Sequence, residues 1–238
     1  MHKTLAEARA LARDIRQGLP TTLPAEVAVA PPFTALEAVA AAISGSPIRL
    51  AAQDAFWEKQ GPYTGAISPL MLKDLGCYYV IIGHSERRQH FGETNEMVNR
   101  KLKAVLAAGL NPILCVGETL KARQVGLTLK RVGEQLREGL DGLPPNAADH
   151  LIIAYEPVWA IGTGHTATPE QAQEVHYYIR SLVAQILGRT DIRILYGGSV
   201  TPDNAASLLR EPDINGALVG GASLTAEAFL KIIAAAGS

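Results

Sequence analysis

The chain has 238 residues and a nearly balanced charge, with 22 lysine and arginine residues against 23 aspartate and glutamate residues. This balance argues against binding to nucleic acid or to a membrane surface through net charge. No apolar run is long enough to span a membrane, and the segment after Met1 lacks the apolar core of a signal peptide. Cys77 and Cys115 lie in apolar runs without metal or redox spacing, so reduced thiols and a cytoplasmic location are expected.

Short apolar runs alternate with amphipathic helical patterns over the whole chain. The predicted strands are residues 27–30, 48–52, 78–82, 112–116, 151–155, 192–196 and 217–219. One long helix is predicted to begin at Thr168 and Pro169, since a capping residue is followed there by a proline suited to the first turn. Parallel strands need such helical crossovers, so the pattern predicts one α/β domain over residues 1–238.

Polar and glycine-rich clusters follow the predicted strands rather than precede them. That asymmetry is typical of a doubly wound sheet and of a (β/α)8 barrel, because both gather their sites at the carboxyl ends of the strands. No GxGxxG sequence follows the first predicted strand, which weighs against a dinucleotide-binding fold. The length is routine for a single barrel.

The first candidate catalytic residue is Glu156, which follows an apolar strand pattern. Proline 157 ends that strand because proline has no N–H to donate. The next residues have the composition of a lid with an apolar underside and glycines at its far end: Pro157, Val158, Trp159, Ala160, Ile161, Gly162, Thr163 and Gly164. A carboxylate under such a flap is suited to act as a general base away from water. The alternative is a solvated loop carboxylate beside a tryptophan that only packs.

The second candidate is His84, which lies between an apolar strand pattern and a helix start at Ser85 and Glu86. The positive end of a helix dipole disfavours an imidazolium ion, so His84 is expected to be neutral and to donate a hydrogen bond. A structural histidine at a strand end is the alternative.

Two glycine-rich turns follow the last two predicted strands, one at residues 197–199 and one at Gly220 and Gly221. Exposed N–H groups in such turns, backed by a helix dipole, bind phosphate well. In a barrel these two loops commonly hold phosphate. Tight turns without a ligand are the alternative.

A carboxylate base, a neutral imidazole, a lid and a phosphate cradle suit proton abstraction next to a carbonyl on a small phosphorylated substrate. The sequence contains no metal-ligand cluster, serine nucleophile motif or P-loop. We therefore expect an enzyme that uses neither a metal nor a cofactor.

Six motifs carry a specific resemblance to the triosephosphate isomerase family. They are YTG at 63–65, IGHSERR at 82–88, CVGE at 115–118, YEPVWAIGTG at 155–164, YGGSV at 196–200 and VGGA at 219–222. The resemblance implies interconversion of dihydroxyacetone phosphate and D-glyceraldehyde 3-phosphate through an enediol, in glycolysis and gluconeogenesis. In that family the pairing of a carboxylate base with a neutral histidine is established chemistry.

The resemblance also implies a role for each matching residue. Glu156 moves the proton between two carbons, and His84 polarises the carbonyl. Backbone N–H groups around Gly162, Ser199, Gly220 and Gly221 hold the phosphate. Ser85, Glu86 and Cys115 support the catalytic pair, and the loop around Thr64 forms a homodimer.

Family members begin with a strand that ends in Asn-x-Lys-Met, and Met1 of this chain aligns with that methionine. We therefore expect the first strand, the asparagine and the substrate-binding lysine to be missing here. Two explanations are open: an internal methionine was taken as the start, or the chain is an impaired or non-catalytic relative that binds triose phosphates. The family usually has an asparagine at Asp54 and a lysine at His165 as well.

Overall fold

The computed structural model describes residues 1–161 and 166–237. The six strands are β1 Ala28–Val29, β2 Arg49–Ala52, β3 Tyr79–Ile82, β4 Asn111–Val116, β5 Ile152–Tyr155 and β6 Arg193–Tyr196. The α-helices are α1 Leu5–Gly18, α2 Leu36–Ile43, α3 Pro69–Asp74, α4 Ser85–Phe91, α5 Asn95–Ala107, α6 Leu120–Gln124, α7 Thr128–Gly139, α8 Pro169–Leu187, α9 Ala205–Leu209 and α10 Ala226–Ala235. No helix in this part of the chain combines the length and the apolar composition needed to cross a membrane.

All pairings between the six strands are parallel, and each strand pairs with the next one in sequence. Because the strands run in one direction, their carboxyl ends lie on the same side of the sheet. At β4 and β5 the ladder continues to the pair Val116 and Tyr155, so the residues that follow each strand emerge side by side. The predicted crossover pattern is confirmed for these strands.

The core has two parts, one on each face of the curled sheet. The larger part packs the helices against the sheet, with residues such as Leu102, Leu136 and Ile179 fully buried. The smaller part joins inward-facing strand residues: Ala51, Tyr79, Ile81, Ile113, Cys115, Ile152 and Ala154. Strands buried on both faces explain why the sequence shows continuous apolar runs instead of alternation.

The predicted start of the long helix is also confirmed. Thr168 and Gln171 form reciprocal hydrogen bonds, with Gln171 N–H donating to Thr168 Oγ1 (3.2 Å) and Thr168 N–H donating to Gln171 Oε1 (3.1 Å). Pro169 occupies the first turn of α8, where its missing N–H leaves no helical bond unmade.

The prediction of a full strand at residues 217–219 is wrong. Ala217 forms a single parallel bridge to Tyr196. Beside it, Leu218 N–H donates to the Tyr196 carbonyl (2.9 Å) and Tyr196 N–H donates to the Gly216 carbonyl (2.9 Å). Within the described residues, the segment 217–219 therefore pairs with β6 alone, and its three residues are half-buried.

Helices α1 and α10 are in contact, whereas the two edges of the sheet are not paired with each other in the described residues. Helix α1 packs on α10 so closely that a Cβ at Gly18 would lie 2.2 Å from Leu230 Cδ1. Under these helices, β1 pairs with β2 alone and Ala217 with β6 alone, with no pairing between the two edges in the described residues. Both residues of β1 are half-buried, whereas every residue of β3, β4 and β5 is buried.

His176 lies in the middle of α8 and is fully buried between Tyr155 and Tyr196. Its Nδ1 lies 2.7 Å from the carbonyl oxygen of Ala172. Burial lowers the pKa of His176 from its ordinary 6.5 to about 4. The folded protein therefore holds this imidazole neutral at a pH where the unfolded chain would protonate it.

We expect the free energy of unfolding to fall as the pH drops from 6.5 towards 4, because the unfolded state takes up a proton that the folded state refuses. The loss from His176 should be about 2 kcal/mol between pH 7 and pH 5. Urea denaturation at both pH values measures it. His176→Gln should flatten this acid limb, whereas His90→Gln in exposed α4 should not; equal slopes in the two variants would contradict the assignment.

Candidate active site

The candidate catalytic residues meet at the carboxyl ends of the parallel strands. His84 follows β3, Glu156 follows β5 and residues 197–199 follow β6. Residues 117–118, which follow β4, lie between the first two groups because β4 pairs with both β3 and β5. The sheet thus brings together side chains that are more than seventy positions apart in sequence.

Glu156 and His84 are in direct contact. Glu156 Oε1 lies 2.8 Å from His84 Nε2, and its other oxygen, Oε2, accepts a hydrogen bond from Ser85 N–H (2.8 Å). The Glu156 side chain is 2% exposed and that of His84 is 25% exposed. The carboxylate is therefore held by Ser85 at one oxygen, faces His84 with the other and is shielded from water, while the imidazole still reaches the surface.

Two opposing effects act on His84. As the N-cap of α4, it accepts the N–H of Glu86 at Nδ1 (3.3 Å), which places the proton of the neutral ring on Nε2. That nitrogen faces Glu156 and lies 2.8 Å from its Oε1. Burial lowers the pKa of His84, but the hydrogen bond and the charge of Glu156 outweigh it, so the pKa of His84 is raised. The helix end predicted that the imidazolium form of His84 is disfavoured, whereas the proximity of Glu156 shifts the pKa of His84 in the opposite direction.

The three supporting residues take different positions. Ser85 is buried and contributes its backbone N–H to Glu156. The Glu86 side chain is 64% exposed; its backbone N–H donates to His84 Nδ1, and its carboxylate Oε2 lies 3.9 Å from the same nitrogen. Cys115 is fully buried in β4, and burial together with the nearby Glu156 charge raises the pKa of its thiol well above the usual range. It is a neutral packing partner of the carboxylate.

Glu118 anchors the start of the lid, a role that the sequence alone did not reveal. Its side chain is 0% exposed and accepts hydrogen bonds from the Tyr155 hydroxyl (3.1 Å) and from Trp159 Nε1 (2.9 Å). Arg123 lies 3.4 Å from the same carboxylate and stacks over the Trp159 ring at 4.7 Å. Burial and the Glu118 charge raise the pKa of the Tyr155 hydroxyl, which stays protonated and able to donate.

The first half of the predicted lid is a short turn. Val158–Ala160 form a 3-10 turn after Pro157, and Val158 N–H donates to the Glu118 carbonyl (3.1 Å). Ala160 is buried, and its carbonyl accepts from Ser199 N–H (3.1 Å). Ile161 is half-buried. Gly162, Thr163, Gly164 and the hinge residue His165 lie outside the described residues.

The predicted phosphate loops lie at the same mouth, but their N–H groups differ. Ser199 N–H is occupied by Ala160 in this state. Gly220 and Gly221 are exposed, and a Cβ at either would meet nothing within 4 Å. Among the described residues, no atom therefore fills the space above this second turn.

Glycine is required at two positions where the backbone of a neighbouring loop lies against Glu156. A Cβ at Gly117 would lie 1.8 Å from the Glu156 carbonyl oxygen, and one at Gly197 would lie 3.0 Å from Glu156 Cγ. The loops after β4 and β6 thus pack closely against Glu156 from two sides. Their motifs, CVGE and YGGSV, contain the signal for this packing, but the approach of the backbones is visible only in the fold.

Arg88 is a further residue whose role the sequence did not reveal. It is half-buried, and its guanidinium donates to the carbonyls of Gly83 (2.8 Å) and Cys115 (3.3 Å) and to Asn95 Oδ1 (2.6 Å). It thereby ties the end of β3 to the end of β4 just below His84. An arginine four positions after a helix cap carries no such signal by itself.

This arrangement defines an α/β barrel-type protein with a buried carboxylate and an imidazole paired at its carboxyl-end mouth. The sequence model of the triosephosphate isomerase family matches residues 1–236. Similar proteins include triosephosphate isomerases of Moorella thermoacetica (57% identical over 235 residues), Chloroflexus aurantiacus (54% over 236) and Pelobacter propionicus (52% over 236). Each alignment covers 98% of this chain and 94% of the relative.

The chain belongs to the triosephosphate isomerase family. The match confirms the resemblance carried by the six motifs, and the parallel curled sheet fits the TIM-barrel fold of that family.

We expect Glu118→Leu to detach the lid, since it leaves the Tyr155 hydroxyl, Trp159 Nε1 and Arg123 without their common partner. Leaving the buried Tyr155 hydroxyl without its acceptor costs about 1–3 kcal/mol. The measurement is acrylamide quenching of Trp159 fluorescence in a Trp57→Phe background, with the unfolding midpoint recorded alongside. Glu118→Gln keeps an acceptor and should quench less; identical quenching in parent and Glu118→Leu would show that the anchor is unimportant.

Proposed function

We propose that this chain is a triosephosphate isomerase that interconverts dihydroxyacetone phosphate and D-glyceraldehyde 3-phosphate. The reaction serves glycolysis in one direction and gluconeogenesis in the other. One observation carries the proposal: a carboxylate with 2% exposure contacts a histidine Nε2 at the mouth of a sheet whose chain matches the family over residues 1–236. Family membership alone gives the reaction class, and the paired groups supply the chemistry it needs.

Glu156 acts as the base and His84 as the hydrogen-bond donor. A distance of 2.8 Å between them leaves no room for a substrate, so binding must separate the two groups. The Glu156 carboxylate then takes the proton from the carbon next to the carbonyl. The Nε2–H of His84 turns to the carbonyl oxygen and stabilises the charge that develops there. Returning the proton to the adjacent carbon completes the isomerisation without any other reagent.

The phosphate group lies at the loops of Ser199 and of Gly220 and Gly221, with Gly162 as a fourth partner. The open, exposed position of the two glycines supports this assignment. Because Ser199 N–H donates to the Ala160 carbonyl, phosphate binding at Ser199 and a shift of the lid are coupled. Pro157, Val158, Trp159, Ala160, Ile161, Thr163 and Gly164 close over the site.

Full activity requires one more strand between β1 and Ala217. The half-buried residues of β1 and the single bridge of Ala217 support this, since both edges have hydrogen bonds on one side only. By the family resemblance that strand ends in Asn-x-Lys and brings a cation to the substrate. Losing one such electrostatic stabiliser costs about 2.7–4 kcal/mol of transition-state binding.

The protein is proposed to be a cytoplasmic homodimer that assembles through the loop around Thr64. Phe56 in this loop stacks on Trp57 and Tyr63 at centroid distances of 4.0 and 4.7 Å. Tyr63 is nevertheless 42% exposed, and Thr64 is exposed as well. An ordered aromatic cluster that still presents apolar surface is typical of a contact region. Two buried free thiols, Cys77 and Cys115, fit a reducing compartment.

An isomerase assay on the purified chain, coupled to consumption of dihydroxyacetone phosphate, tests the proposal. Glu156→Gln keeps the shape of the side chain but removes the base, so kcat should fall about 100- to 10,000-fold with KM little changed. Adding a strand that ends in Asn-x-Lys ahead of Met1 should raise kcat/KM about 100- to 1000-fold.

Glu227→Gln on the exposed face of α10 is the matched control and should leave the rate unchanged. If neither form turns over, but a phosphoglycolate-type ligand raises the melting temperature, the chain is a triose-phosphate-binding relative without catalysis. Turnover that survives Glu156→Gln would contradict the role of Glu156.

Light scattering should report a mass of twice 25.3 kDa if the homodimer forms. Tyr63→Ser, which removes the exposed apolar side chain of the loop, should shift the equilibrium towards the monomer. Tyr177→Ser is the control, since Tyr177 is 65% exposed on α8 and far along the chain from this loop. A parent that stays monomeric at high concentration would refute the proposal.

A further inference from the structure

Gln135, on helix α7, uses its whole side-chain amide on one residue of the loop after β4. Its Oε1 accepts from Gly117 N–H (2.7 Å), and its Nε2 donates to the Gly117 carbonyl (3.0 Å). Both polar groups of the Gly117 backbone are thereby satisfied by a single side chain. Val132 and Leu136 on the same helix are fully buried, so Gln135 projects from a fixed element.

Gly117 is the point at which the loop presses on the base. There is no room for a side chain at Gly117, where a Cβ would lie 1.8 Å from the Glu156 carbonyl oxygen and 2.7 Å from its carbonyl carbon. A displacement of the Gly117 backbone would therefore be transmitted to the Glu156 backbone by direct contact.

The residues on either side of Gly117 hold the same segment. Glu156 N–H donates to the Val116 carbonyl (2.7 Å), and Val158 N–H donates to the Glu118 carbonyl (3.1 Å). The Glu118 side chain also binds Trp159. Three successive residues, from the last residue of β4 into the loop that follows it, thus support the base and the first turn of the lid. The middle one, Gly117, is fixed from outside by Gln135.

We infer that Gln135 is a positioning residue for both Glu156 and the lid, acting through Gly117. The inference rests on the proposed roles of Glu156 and of the lid in the isomerase reaction. Within the described residues, both side-chain hydrogen bonds of Gln135 go to Gly117. Its effect is to hold the backbone of the β4 loop in the one position that keeps Glu156 against Ser85 and Trp159 against Glu118.

Gln135→Met removes both hydrogen bonds while keeping an unbranched side chain of similar length. The Gly117 and Val158 amides should then exchange with solvent about tenfold faster, as expected for the loss of one ordinary hydrogen bond. Amide hydrogen exchange followed by NMR, without any substrate, measures this. Gln185→Met, at an exposed position of α8, is the matched control and should leave these amides unchanged.

Steady-state kinetics of the strand-completed chain give the second readout. A base misplaced by about 1 Å loses on the order of 100-fold in rate, so kcat should fall between tenfold and 100-fold in Gln135→Met while KM stays within about twofold. Gln135→Glu retains an acceptor for Gly117 N–H but repels its carbonyl, and its kcat should lie between those of the parent and Gln135→Met.

Exchange at Gly117 and Val158 that is equal in parent and Gln135→Met would overturn the inference, as would equal kcat in the two. Because the exchange measurement needs no turnover, it remains decisive if the isomerase proposal fails. A loss of melting temperature in Gln135→Met with unchanged exchange and kcat would show a merely structural role and also overturn it.

Discussion

The buried carboxylate of Glu118 is the interaction on which the base and the lid both depend. A charge with no exposed surface must be satisfied within the protein, and here a tyrosine hydroxyl, an indole N–H and a guanidinium do so. Two of these donors, Tyr155 and Trp159, flank Glu156 in sequence. The cost of leaving Glu118 without partners therefore fixes the residues before and after the base, and Glu156 is held between two anchored neighbours.

The electrostatics of the pair follow from this fixed geometry. His84 accepts a helix N–H on one nitrogen and faces a carboxylate on the other, so each nitrogen has a defined function before any substrate arrives. The pKa of His84 is raised because Glu156 is its partner. A substrate that separates the two groups removes the effect that raises it, and the helix end then favours the neutral ring.

The sequence predicted those features that depend on local pattern. Apolar runs predicted the six paired strands, and a Thr-Pro pair predicted the capped start of α8. Glycine and proline at the strand ends predicted that His84 and Glu156 follow their strands. The sequence could not predict contacts between residues that are far apart along the chain. The roles of Glu118, Arg88 and Gln135 arise because the fold brings helices and loops that follow different strands into hydrogen-bond contact, and no spacing along the chain encodes that. The strand expected at 217–219 failed for a related reason, since an apolar run becomes a full strand only with a partner along its length.

The packing of α1 on α10 has a consequence for how this chain folds. Each strand pairs with its successor, so the sheet can grow from contacts of moderate sequence separation. The contact between Gly18 and Leu230, by contrast, joins the two ends of the chain and closes a loop of more than two hundred residues. Closing so long a loop costs more entropy than any strand pairing and slows folding. The helix-to-helix seam is thus the natural last step of assembly and the natural first place for the molecule to open.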